Sequence, residues 1–256
     1  MFTWIHNMGS PRHFYHVTRR LTPWLGGVSA LLLLVGSYWG LAVAPPDYQQ
    51  GDSYRIIFVH VPAAWMSMFV WVFMAVTGLI TLVWRIKIAG ALMRAAAPLG
   101  ASFTFLTLVA GSLWGKQMWG TYWVWDARLT SELILLFLYL GFMALQSAIE
   151  DRGSAYRAGA LLALVGLVNI PIIHFSVEWW NTLHQGPTVT KFDSPSITLN
   201  MLLPLLVMAI AFMAYFAATV LKRARCEILE AEARSGWVRE LSGSVVDQTG
   251  GQADGS

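Results

Sequence analysis

Charge and apolarity separate along this chain on the scale of whole helices. Uncharged apolar runs occupy residues 21–46, 56–84, 95–115, 133–149, 158–177 and 194–221, and nearly every charged residue falls between them. Each run is close to the roughly 17 to 25 residues that a helix needs to cross a bilayer. The pattern predicts an all-α, polytopic membrane protein with six transmembrane helices. The fourth run is the shortest, and Arg128 and Glu132 lie near its end, within reach of the interface or of a polar cavity.

Composition agrees with that reading: 56% of the residues are hydrophobic and 12% charged, about half the charged share of a soluble domain. Lys and Arg are retained on the cytoplasmic side of a membrane. With both termini cytoplasmic, the inner segments carry 13 cations, Arg12, Arg19, Arg20, Arg85, Lys87, Arg94, Arg152, Arg157, Lys222, Arg223, Arg225, Arg234 and Arg239, against 4 outside, Arg55, Lys116, Arg128 and Lys191. An even helix count fits the same orientation. The net charge of +3 is thereby a topology signal, and no nucleic-acid partner is implied. Three parts follow: a cytoplasmic N-terminal segment 1–20, a membrane domain 21–221, and a cytoplasmic tail 222–256 that begins as a charged helix and becomes Gly- and Ser-rich and disordered from Ser242. Residues 1–20 lack the order of a signal peptide, so no cleavage is expected.

Between the third and fourth runs the chain reads WGKQMWGTYWVWD, with Trp114, Trp119, Tyr122, Trp123 and Trp125 in thirteen positions. One or two rings at a membrane border form an anchoring belt. Five rings interleaved with Gly115 and Gly120 and closed by Asp126 and Arg128 suit a platform for a large, flat, apolar ligand. The stretch, residues 114–128, is read as an outer loop.

The other outer loops contain two histidines. His60 lies in SYRIIFVHVPAAW, where Pro62 starts the second helix and leaves His60 at its mouth. His184 lies in VEWWNTLHQGP, read as a short helix ended by Gly186 and Pro187, with Trp180 four residues earlier on the same face. Parity of the helices brings both histidines and the aromatic stretch to one side. That set matches the needs of heme: a flat apolar surface, nitrogen ligands from opposite faces, and cations for two propionates. Arg55, Lys116 and Arg128 are the propionate candidates, with headgroup contact the simpler role for Lys116. Asp126 either caps the fourth helix, orients Arg128 or contacts the ligand.

His174, near the outer end of the fifth run, ranks behind this pair, and His6, His13 and His16 fall on the cytoplasmic side. A single cysteine, Cys226, leaves no CxxCH attachment site and no internal disulfide. Heme would be held non-covalently, as heme b.

The string WGKQMWGTYWVWDARLTSELILLFLYLG resembles the tryptophan-rich WWD signature of heme-handling membrane proteins in cytochrome c maturation. APPDYQQGDSYRIIFVHVPAAWMSM and NIPIIHFSVEWWNTLHQG are similar to the heme exporter protein C family within that group, in the same order and spacing, over roughly residues 20–220. The resemblance implies a bacterial inner-membrane protein that holds heme at its periplasmic face on the tryptophan-rich segment, with His60 and His184 as axial ligands. It implies delivery of that heme to a periplasmic heme chaperone, beside ABC-type membrane and ATPase subunits and a small single-helix subunit. The role implied is delivery rather than catalysis, and no P-loop is present to couple nucleotide hydrolysis to movement. Two other classes share parts of the pattern. A b-type cytochrome electron-transfer subunit would place its ligand pairs deep within facing helices. A secondary transporter would break helices near the midplane, for which only Asn169 before Pro171 and Asn200 before Pro204 are candidates.

Overall fold

A computed structural model of the chain describes residues 9–184, 186, 189, 196–241 and 243. Helix α1 spans Pro11–Tyr38 and runs on through a π-helical turn, Trp39–Val43. A 3-10 turn at Asp52–Ile56 leads into α2, Ile57–Trp84, followed by α3, Lys87–Trp119, and α4, Ala127–Ala148. The fifth span is divided into α5, Arg152–Gly166, and α6, Asn169–Trp179, and α7 covers Leu199–Ala231. These elements supply six spans long and apolar enough to cross a membrane.

The boundaries depart from the sequence expectations in informative ways. Helix α1 begins at Pro11 and passes unbroken through the anticipated border at residue 20. Helix α2 begins at Ile57, five residues before Pro62. The missing amide proton of Pro62 therefore falls inside the helix, which membrane bundles tolerate because neighbouring groups meet the freed carbonyl. Helix α3 extends to Trp119 and stops at Gly120, whose φ of 75° is a left-handed terminus. The stretch from Trp114 to Trp119 is thus helical and not loop. Helix α4 starts at Ala127 with Asp126 as its N-cap, so Arg128 and Glu132 belong to its first two turns. Helix α6 ends at Trp179, and Trp180 is extended with ψ of 154°, so His184 follows in irregular chain instead of the expected short helix. Pro187, Lys191, His6 and the tail beyond residue 243 lie outside the described residues.

Helices α2 and α3 form the centre. They pack along each other, α4 and α7 lie against α3, α5 lies against α2, and α1 is attached through α7. Trp71, Tyr139, Phe142, Met74 and Met93 are fully buried where these helices meet. Their polar atoms are satisfied across helices: Trp71 Nε1 donates to the Ala163 carbonyl at 3.1 Å and the Tyr139 hydroxyl to the Ser67 carbonyl at 2.7 Å. An unpaired group there would cost several kcal/mol in hydrocarbon, on the order of 2–7. Helix α1 is different. Only 17% of its apolar window is buried, with Trp24, Leu34 and Tyr38 exposed, as suits a helix facing lipid.

Candidate functional site

One end of the bundle gathers the loop 44–56, the C-terminal end of α3, the N-terminal end of α4 and the segment after α6. Asp47 shapes the first of these, its Oδ1 accepting the amides of Gln49 and Gln50 at 2.9 Å, with Gly51 at φ 58°. Gln50 Oε1 then accepts from Trp114 Nε1 at 2.9 Å and ties this loop to α3. A cavity of about 160 Å³ opens here, lined among others by His60, Trp65, Trp114, Trp119, Arg128 and His184. A smaller chamber of about 40 Å³ adjoins it, bounded by His60, Thr107, Arg128, Glu132 and His184.

His60 stands on the first turn of α2, and its Nδ1 lies 3.1 Å from the main-chain oxygen of Thr107 on α3. Gly111 makes this approach possible: a Cβ there would sit 2.9 Å from His60 Cε1. His184 Nδ1 lies 3.0 Å from Asp126 Oδ2, while Asp126 Oδ1 accepts the Leu129 amide at 2.8 Å. Asp126 therefore caps α4 and binds His184 together, and among the described residues no hydrogen bond or ion pair joins it to Arg128, on which its charge still acts. Carbonyl and carboxylate oxygens only accept, so each Nδ1 carries the proton and each neutral ring keeps its Nε2 lone pair for a ligand. Burial, opposed by the Asp126 carboxylate, moves the His184 pKa below its ordinary value and favours that neutral form.

The aromatic stretch divides in two. Trp114 and Trp119 line the cavity, Trp114 edge-on to His60 at 5.7 Å and Trp119 edge-on to His184 at 4.8 Å between ring centres. Tyr122 and Trp125 are 57% and 76% exposed and stand outside it, with the Trp123 ring 5.4 Å from Trp125. Lys116 lies over the Tyr122 ring at 5.2 Å and donates to the Gly120 carbonyl at 2.9 Å. Of the cations, Arg128 borders both cavities. Arg55 borders neither: it pairs with Asp52 at 2.9 Å and donates to the Gly40 and Leu41 carbonyls, closing the end of the first span. His174 packs on Phe175, and His13 and His16 are on α1, outside both cavities.

Sequence reasoning passed over Gln50, Thr107 and Gly111. Gln50 sits in a visible Asp–Gly turn, DYQQGD, which signals ordered chain. Nothing in the sequence marks Thr107 or Gly111, because their role depends on the rotation of α3 against α2. Glu132, noted as able to reach a polar cavity, is buried against the smaller chamber, and its Oε1 has no hydrogen-bond partner among the described residues.

The comparisons with known proteins bear on the whole chain. The family model for heme exporter protein C matches residues 4–239. A Haemophilus influenzae protein called heme exporter protein C is 50% identical over 242 residues, 94% of this chain and 98% of its own length. The protein of that name in Escherichia coli K12 is 52% identical over 241 residues, 94% and 97% of the two lengths. A mitochondrial protein of Marchantia polymorpha, described as ccmC-like and tied to cytochrome c biosynthesis, is 45% identical over 202 residues, 79% and 86%. With six spanning helices and bacterial relatives matched almost end to end, this is a multi-pass protein of the bacterial inner membrane. The chain belongs to the heme exporter protein C family.

Proposed function

We propose that the chain binds heme b non-covalently at the periplasmic face of the inner membrane and presents it to a periplasmic heme chaperone during maturation of c-type cytochromes. The observation that carries this reading is the pair of histidines on one cavity, each with Nδ1 committed and Nε2 left for iron. His60 and His184 would be the axial ligands. Trp114 and Trp119 would flank the ring, and Arg128 would meet a propionate. The residues fit such a cargo in another respect. A cavity of about 160 Å³ is below the roughly 300 to 1,000 Å³ of pockets that engulf their ligands, so a porphyrin bound to these histidines leaves part of its edge outside. Transfer to a partner needs that open edge. The exposed rings of Tyr122 and Trp125 would offer the chaperone a surface, with Trp123 packed edge-on to Trp125.

Both termini are placed on the cytoplasmic side in this reading, by the distribution of Lys and Arg. The ABC-type membrane and ATPase subunits and a single-helix subunit are its expected companions, and membrane lipid surrounds the bundle. The chain acts as a carrier and not as an enzyme. A b-type cytochrome passing electrons to quinone is the rival that shares the histidines. Absorption spectra of the purified protein decide: His60→Ala and His184→Ala should each shift the heme bands and reduce heme content several-fold, with added imidazole restoring part of the loss. Unshifted spectra in both variants would place the iron elsewhere, and a reversible heme redox signal with quinone reductase activity would support the rival.

A further inference from the structure

The two histidines reach the cavity with unlike support. His60 donates from Nδ1 to a neutral main-chain carbonyl, Thr107 O, at 3.1 Å. His184 donates to a carboxylate, Asp126 Oδ2, at 3.0 Å, and that carboxylate is held in turn by the Leu129 amide at the N-terminus of α4. A carboxylate partner draws the Nδ1 proton and raises the electron-donating strength of Nε2 more than a carbonyl does. Steric support differs as well. The side chain of Asp126 is only 6% exposed and pins His184 in place.

His60 borders the smaller chamber, where about 40 Å³ is room for roughly three to four waters on the order of 10–15 Å³ each. Glu132 borders the same chamber, and its buried Oε1 has no hydrogen-bond partner among the described residues. An imidazole released by iron at His60 has this space beside it and no carboxylate on its Nδ1 to hold it. His184 borders the same chamber but is tethered by Asp126.

We propose that Asp126 is a positioning residue that makes His184 the retained iron ligand and His60 the exchangeable one, so that an incoming ligand, such as the imidazole of a partner protein, enters on the His60 side. This rests on the bis-histidine reading above, and the test separates the two. The full-length protein is purified with its heme, reduced and exposed to carbon monoxide, which displaces one histidine, and the Fe–CO stretch is read by resonance Raman. The wild-type adduct is expected to match that of His60→Ala and to differ from that of His184→Ala. Asp126→Asn keeps a capping oxygen for Leu129 but removes the charge behind His184. It should move the wild-type stretch and shift the midpoint potential of the heme to more positive values, with Asp126→Glu returning both toward wild type. A wild-type adduct that matches His184→Ala, or a stretch and potential untouched by Asp126→Asn, overturns the proposal while leaving bis-histidine binding intact. Heme spectra that neither histidine variant alters defeat the binding reading itself.

Discussion

At the residue scale, the site is built from side chains whose second polar atom is already used. His184 shows what this does to pH dependence. Its burial, the larger effect, and the opposing Asp126 carboxylate leave its pKa below the ordinary 6.5. A histidine with a depressed folded pKa stays neutral where the unfolded ring would protonate, so its contribution is complete above the unfolded value and is lost as pH falls through the folded one. Heme content should therefore stay flat from about pH 8 down to the ordinary histidine value of roughly 6.5 and decline only below it. A decline centred above that value would contradict a lowered His184 pKa. The tryptophans divide by position. Trp119→Ala removes a ring that lines the cavity, and a stacking contribution of about 0.5 to 1.5 kcal/mol predicts roughly a 2- to 12-fold loss of heme affinity. Trp125→Ala should keep heme content near wild type and reduce co-purification of the chaperone, because this ring is 76% exposed and off the cavity. Equal behaviour of the two variants would count against separate holding and docking surfaces.

At the scale of elements, the central contact is α2 on α3. Gly111 leaves the space that the His60 ring occupies, and a Cβ at 2.9 Å from Cε1 is closer than real contacts allow. Gly111→Ala is expected to push His60 off Thr107 and lower heme content several-fold while the bundle still assembles; imidazole rescue comparable to that of His60→Ala would identify the cause. Gly100 on α3 meets the Tyr139 ring of α4 in the same manner. Overpacking there costs on the order of 1–3 kcal/mol, and it would strain the Tyr139 bond to the Ser67 carbonyl. Gly100→Ala should lower thermal stability with little change in the position of the heme bands, which a melting curve and a spectrum of one sample would establish.

For the whole molecule, the ends of the bundle differ in kind. One end holds the cavities, and the other holds ion pairs of Arg94 and Arg152 with Glu227, and of Arg152 with Glu230. The proposed orientation puts the end with Arg94, Arg152, Glu227 and Glu230 in the cytoplasm. Cys226 offers a native test, being the single cysteine and exposed near the end of α7. A membrane-impermeant maleimide should label it in inverted vesicles and leave it unlabelled in intact spheroplasts. The reverse result would turn the protein over and put the heme face in the cytoplasm.

The apolar runs, the distribution of Lys and Arg, the aromatic stretch and both histidines were legible in the sequence because each is a local or compositional signal. Six spans follow from run length, since a bilayer demands apolar helices of fixed reach. Helix ends were less legible. Pro62 read as a start although the apolar residues before it continue the helix, and Trp114 to Trp119 read as loop because aromatic and glycine content outweighed helical periodicity. Tertiary structure alone decided which partners meet: Asp126 with His184 across 58 positions, Thr107 with His60 across 47, and Gln50 with Trp114 across 64. Those pairings depend on the rotation and height of one helix against another, and packing of buried side chains at interfaces such as Trp71 and Tyr139 sets both. A single chain read in order holds no record of that rotation.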